Sequence, residues 1–426
     1  MSMRNFKQNF RYIHIVSFVA LLLAVFLGGA GMALAAGSKG DKDLQVSGWI
    51  PFWQIVKGAQ DTEKHLDDLD IIHPFGYDVK SDGTLSDLAK IGRKEADKEA
   101  KAAWQSLFKA AKKKDVDVIP TVMWSNGADM ERILSDKRAR AKHVKAIVDM
   151  VKKEKFIGVN IDYEGKQAVT RDGFSAFLKE LKKALGKKKI LSCAIEPRTP
   201  LDSLFRTPHA PLQYSNDFKK IGKYCDEVQV MAYDQGRADV KLNDAKAGSP
   251  YLPVADTEWV RKVVELAMKD IPKEKIMLGV ATYGREYVVT VVPNWFKDYK
   301  RVQSLNHPYA LDLAGAYKIT PSRNKAGEMS FSYLPVNGTK ERNALIAALP
   351  SLSAPPGTPS GEIVAQKALA YANKTGKTTS FNFVSWSDAQ AIKEKFDLAE
   401  ELGLKGVAIF KLDGEVDPAL WGNFWE

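Results

Sequence analysis

At 426 residues the chain can bury a large core, and since a barrel of about 200–250 residues commonly forms one domain, one barrel plus an addition is expected. With 45% hydrophobic and 27% charged residues, the composition excludes a disordered chain and a multi-span membrane protein. The formal net charge of +11 suits an anionic wall polymer, a membrane surface, nucleic acid or a lysine-rich solvated surface, and alone selects none of them.

The chain opens with Arg4, Lys7 and Arg11, followed by an uncharged apolar run from Val16 to Leu27, then Gly28-Gly29-Ala30-Gly31 and Ala33-Leu34-Ala35. That order of basic, apolar and small residues predicts a secretory signal over residues 1–35, cleaved near Ala35. The apolar core is short for a membrane span, which needs about 20 residues, so no stable insertion is expected after cleavage. Cleavage lowers the formal charge from +11 to +8, because the segment carries three basic side chains and no acidic one. The expected location is secreted, or periplasmic and cell-envelope. A polar linker covers residues 36–45.

Short runs rich in Val and Ile then alternate with segments of helical period. The predicted strands are 46–52, 71–77, 116–124, 156–164, 190–196, 227–234, 276–283 and 406–412. Eight parallel strands with helices between them predict a (β/α)8 TIM barrel of the α/β class. Ala100, Trp104, Leu107, Phe108 and Ala111 fall on one helical face, as do Val144, Ile147, Val148 and Val151, and Phe174, Phe177, Leu178, Leu181 and Leu185, with Gly186 as a helix stop. About 90 residues separate the seventh strand from the last helix, too many for a loop, so an α+β subdomain is expected over 288–379. The barrel is then split into 46–287 and a closing piece, 380–426. Cys193 and Cys225 make no disulfide framework, and whether they pair is open. The six His residues show no ligand-like spacing, so no metal site is expected.

The segment Phe156-Ile157-Gly158-Val159-Asn160-Ile161-Asp162-Tyr163-Glu164 holds the candidate chemistry. Residues two apart in a strand share a face, so Asn160, Asp162 and Glu164 line up on one side and Val159, Ile161 and Tyr163 on the other. Burying two carboxylates so close together is costly unless they are paired. One alternative is a salt-bridged strand end at the barrel rim. The other is catalysis, since the C-terminal strand ends form the active face of such barrels, and a carboxyl pair suits glycoside cleavage. Crowding raises one pKa of the pair, and Glu164, the outermost, is the better proton donor.

These residues resemble glycoside hydrolase family 18, whose fourth strand carries D-G-x-D-x-D-x-E; Ile157, Gly158, Asn160, Asp162 and Glu164 occupy its defined positions. Met231-Ala232-Tyr233-Asp234 is similar to the family's M-x-Y-D. Leu278-Gly279-Val280 through Tyr283-Gly284-Arg285 is similar to L-G-x-x-x-Y-G-R, and Gly406 to Phe410 falls where strand eight normally ends in Trp. The resemblance covers about residues 46–425. It implies Glu164 as general acid, Asp162 as the group orienting the substrate's acetamido nucleophile, and Tyr233 as a donor to the acetamido oxygen. Asp234, Met231, Tyr283, Arg285 and Phe410 are implied around the sugar. Met231 reads better as packing than as contact, Tyr283 stands evenly between the two roles, and Arg285 is as good a structural ion-pair partner. Asn160 is read with the substrate-binding set and as a donor keeping Asp162 ionised. Asn there is similar to the branch acting on bacterial spore or wall peptidoglycan, an N-acetylglucosaminidase branch.

The expected function is therefore an exported glycosidase that cleaves N-acetylglucosamine-containing polysaccharide by a retaining, substrate-assisted route, with peptidoglycan favoured over chitin. Its partner is that polysaccharide, with no cofactor, no nucleic acid and a monomeric protein. A catalytically silent, lectin-like barrel is the alternative, and the presence of Glu164 argues against it. A barrel acting on a phosphorylated substrate would want a Gly-rich loop after strands seven or eight, where Gly414 alone is too little.

Overall fold

The structure, a computed structural model, describes residues 44–90, 98–335 and 339–422. The expected signal segment, most of the linker and Trp425 lie outside the described residues. Among those described, no helix is long and apolar enough to cross a membrane.

Seven barrel strands come first: β1 (Gln45–Pro51), β2 (Ile71–Val79), β3 (Thr121–Trp124), β4 (Gly158–Tyr163), β5 (Ile190–Ile195), β6 (Glu227–Val230) and β7 (Ile276–Ala281). A second sheet follows, built from β8 (Tyr283–Val292), β9 (Trp295–Asn306), β10 (Ser322–Arg323), β11 (Met329–Tyr333) and β12 (Thr379–Trp386). The last strand, β13 (Gly406–Phe410), lies between β1 and β7, and β1 also pairs β2, so the eight parallel strands close into the expected barrel. A parallel sheet covered on both faces is largely apolar, and β4 is buried at every position, its polar Asn160 and Asp162 included. Its Gly158 allows the tight approach of β5: a Cβ there would meet the Ile190 carbonyl oxygen at 2.3 Å.

The outer helices bury the predicted stripes. Trp104, Leu107 and Ala111 are buried on Lys98–Lys113, all four Val and Ile positions on Lys137–Lys153, and Phe174, Phe177, Leu178 and Leu181 on Arg171–Leu185. Gly186 caps the last of these with φ of 78°. Cys193 of β5 and Cys225, just before β6, form a buried disulfide.

Several strand ends differ from the sequence reading for local reasons. The run 116–124 splits into Asp117–Val118 and β3 because Pro120 has no N–H to give a ladder. The run 227–234 ends at Val230, after which the Ala232 amide bonds the Val230 carbonyl and the Tyr233 amide the Met231 carbonyl. Those i to i+2 turns peel the chain off the sheet, and Asp234 takes a left-handed φ of 56°. The second sheet, ordered β9-β8-β12-β11-β10, begins at Tyr283 and ends at Trp386, so it extends past both edges of the 288–379 reading. Helices cover both its faces: Val289, Val291, Phe381 and Phe383 pack with Leu345 and Ala368, while Phe331, Val384 and Trp386 pack with Ala310 and Ala314.

Candidate active site

The alternation on β4 sets a gradient of depth. Asn160 is fully buried, Asp162 is 5% exposed at the cleft floor, and Glu164, one residue past the strand, is exposed at the rim. Tyr163 points the other way, and its hydroxyl meets Nε2 of His143 at 2.5 Å in the helix layer. Above β4 opens a cleft of about 440 Å³ lined by Asp162, Glu164, Met231, Tyr233, Asp234, Tyr283, Arg285 and Phe410. Eight of the nine candidate residues thus meet in one place.

The ninth, Asn160, does not. Its Oδ1 accepts from Trp49 Nε1 at 3.2 Å and Thr121 Oγ1 at 2.9 Å, and its Nδ2 donates to Ser192 Oγ at 3.3 Å and Gln229 Oε1 at 2.5 Å. Both amide hydrogens are spent inside the barrel. Asn160 is therefore neither a sugar ligand nor the donor that keeps Asp162 ionised. Gln229 in turn bonds His73, whose burial pushes its pKa down to about 4, so the layer under the cleft is polar and uncharged near neutral pH.

Burial pushes the Asp162 carboxyl up to about 8, and the Glu164 charge adds to the shift while Lys166 opposes it. Its Oδ1 is buried without a hydrogen-bond partner. Glu164 is also raised, first by desolvation and then by Glu196, with Lys166 opposing and Asp234 adding. Desolvation holds the Tyr233 and Tyr283 hydroxyls protonated far above neutral pH.

Phe410 stands at the centre of an aromatic box. Tyr233 stacks on it at 5.8 Å, and Trp49, Phe75 and Tyr283 meet it edge-on at 5.9, 5.9 and 6.2 Å. Arg285 Nη2 reaches Asp234 Oδ1 at 2.6 Å and lies over the Tyr283 ring at 4.8 Å. Burial works against the charge of Arg285, yet Asp234 holds its pKa above the ordinary value.

Sequence reasoning missed other parts of the cleft. Trp53, 48% exposed just after β1, offers a flat apolar face, and an aromatic cluster at a strand's C-terminal end was its available signal. Ser304, Leu305 and Asn306 come from β9 of the second sheet and form one wall. Asn306 binds Glu415 at 2.5 Å and accepts from Lys411 at 3.2 Å, tying that wall to the barrel rim. Ile157 lies seven residues before Glu164, about 23 Å away at the rise of a strand. It lines a groove of its own with Phe108 and Asp117, so its departure from the family pattern does not reach the cleft.

The family model described as glycosyl hydrolases family 18 matches residues 49–415. Among curated proteins, the uncharacterized glycosylase YvbX of Bacillus subtilis (strain 168) is 28% identical over 205 residues, covering 48% of this chain and 54% of that protein. The cortical fragment-lytic enzyme of the same organism is 23% identical over 281 residues, covering 66% and 52%. The chain thus spans about half the length of these relatives. Among solved structures, the spore cortex-lytic enzyme SleL of Bacillus cereus superposes with a TM-score of 0.62 at 20% identity, over 90% of this chain and 74% of that one. A class V chitinase of Pseudomonas fluorescens Pf-5 gives 0.63 at 21%, over 90% and 98%. At such identities these likenesses show the barrel fold.

Proposed function

The chain belongs to glycosyl hydrolase family 18, and from that premise we propose that it is a glycosidase cleaving an N-acetylglucosamine-containing polysaccharide with retention of anomeric configuration. The observation that carries this reading is the pairing on one strand end of a rim carboxyl, Glu164, with a deep carboxyl, Asp162, whose Oδ1 has no protein partner. In this reading Glu164 protonates the leaving oxygen. Asp162 and the Tyr233 hydroxyl offer hydrogen bonds to an acetamido group that attacks the anomeric carbon from within the substrate. An inverting pair flanks the bond from opposite faces with carboxyls about 6.5–9.5 Å apart, and two carboxyls from one strand end do not. Phe410 gives the sugar a smaller aromatic floor than a Trp would, and Tyr233, Tyr283 and Trp53 widen it.

Peptidoglycan is the favoured substrate. The cortex-lytic names of the Bacillus relatives support it, as does the net positive charge facing an anionic wall. Buried Asn160 supports it only through its likeness to that branch, because it touches no substrate. Incubation with purified peptidoglycan and with chitin should release fragments ending in reducing N-acetylglucosamine from the first and fewer from the second, read by mass spectrometry. Cleavage of chitin alone would reverse the choice, and binding without cleavage of either would favour the lectin-like reading. Export belongs to the same proposal, resting on the basic, apolar and small order of the first 35 residues. N-terminal sequencing of the secreted protein should begin near Ala36, and an intact Met1 in the cytoplasm would refute it.

A further inference from the structure

The turn that carries Glu164 is gripped from below by side chains that no sequence motif marks. Gly165 takes a φ of +71°, the left-handed region that suits glycine, and its N–H donates to Glu196 Oε1 at 3.0 Å. Lys166 folds under the turn with its side chain wholly buried. Its ammonium bonds the Tyr163 carbonyl, lies 3.3 Å from Glu196 Oε2 and sits 4.9 Å above the Phe174 ring. Glu196 Oε2 also accepts from Asn216 Nδ2 at 2.6 Å. The Asn216 loop is held in turn: Arg198, sandwiched between Tyr214 and Phe218 at 3.7 and 3.9 Å, donates to the Asn216 carbonyl at 2.9 Å. The backbone on both sides of Glu164 is therefore tied to one ion pair.

We propose that Lys166 and Glu196 are positioning residues for the proton donor: their ion pair clamps the Glu164 turn and supplies opposed fixed charges that face its carboxyl. The inference rests on the reading of Glu164 as general acid. A buried ammonium with no carboxylate would be costly, and Glu196 is the partner that keeps it. Burial alone would raise Glu196, but Lys166 and the Asn216 amide bring it below its ordinary value, so it is charged when the cleft works. Burial lowers Lys166, and Glu196 opposes that. Glu164 also faces Asp162 from β4, Asp234 from the turn after β6, which Arg285 of β8 offsets, and the neutral hydroxyls of Tyr233 and Tyr283. Among these, Glu196 is the foremost charge holding the proton on Glu164, and Lys166 the one that pulls the other way.

The opposed signs supply the test. In protein carrying carbon-13 at glutamate carboxyls, with Glu164 assigned by its loss in Glu164→Gln, the carboxyl is titrated by NMR without substrate. Glu196→Gln should move its midpoint down by about 0.5 to 1 pH unit, a modest shift because Glu196 is partly solvated. That variant breaks the ion pair yet can keep one tie to the turn: an amide oxygen still accepts from the Gly165 N–H, and the buried Asn216 Oδ1, without a partner in the wild type, can turn to meet the new amide nitrogen. Lys166→Met should move the midpoint up by a similar amount, and the double variant should return it toward the starting value. A midpoint unmoved in Glu196→Gln would overturn the proposal, as would shifts of the same sign in the two single variants. Shifts of the expected signs in a protein that cuts neither polysaccharide would uphold the clamp and its opposed charges but defeat the proposed function, and with it the role of Glu164 as proton donor.

Discussion

Replacing Glu164 by glutamine should slow hydrolysis by about 100-fold to 10,000-fold while polysaccharide binding survives. Among the described residues none hydrogen-bonds the Glu164 carboxyl, so the amide disturbs no contact of the fold, and the clamp below it acts on the backbone of the turn rather than on the side chain. The amide matches the carboxylic acid in size and hydrogen bonding but has no proton to release. Burial and Glu196 both favour the protonated carboxyl in the wild type, and glutamine resembles that form. Thermal unfolding of the variant should therefore match the wild type at acid pH, where the wild-type carboxyl is neutral in both folded and unfolded chains. Retention of most of the rate would remove Glu164 as the acid, and loss of binding together with rate would mean the side chain holds the sugar rather than protonates it. Rate on purified polysaccharide and a binding isotherm on the same material separate these outcomes.

What the sequence could convey about this cleft follows from which physical rules are local. The period of two along β4 is local, so the shared face of Asn160, Asp162 and Glu164 could be read directly. Their depth is not local, because it depends on the register with β3 and β5 that sets Asn160 opposite Thr121 and Ser192. Ser192 and, one strand further on, Gln229 claim the two hydrogens of the Asn160 amide, which is why the donor expected to help Asp162 is unavailable. The run 227–234 has the composition of a strand throughout, yet Tyr233 and Asp234 reach the cleft because the chain leaves the sheet there, a departure fixed by backbone turns rather than by residue type. Ser304 to Asn306 and the pair of Lys166 with Glu196 were invisible for a further reason: the wall joins the cleft from an inserted sheet, and Glu196 lies 30 positions along the chain from Lys166, with no periodicity to announce either. Amphipathic helices, whose pattern is complete within each segment, were the parts read most fully.

Asp162→Asn should separate stability from activity. In the wild type, burial and the neighbouring Glu164 push the Asp162 carboxyl up to about 8, well above the ordinary carboxylate value near 4. The folded protein therefore holds a proton there over a range in which the unfolded chain has lost it. For a group raised on folding, the favourable term is fully present below the unfolded value and is lost as pH climbs through the folded one. Asparagine cannot ionise, so the variant escapes that loss. Its unfolding midpoint should exceed that of the wild type at pH 9 and converge with it near pH 4. Activity should move oppositely, falling by about 100-fold to 1,000-fold on acetylated substrate, because a preorganised polar group facing the reacting acetamido is worth that much when its chemistry is altered. The amide keeps a hydrogen-bond donor and an acceptor but cannot take up negative charge as positive charge builds on the acetamido group. The wild type should cut deacetylated chains poorly, and NMR of the first-formed product should show the anomeric configuration of the substrate retained. Inversion at that carbon, or equal cleavage of deacetylated chains, would rule out the internal nucleophile. A variant whose unfolding midpoint tracks the wild type at every pH would instead show that Asp162 is solvated enough in solution to ionise without penalty.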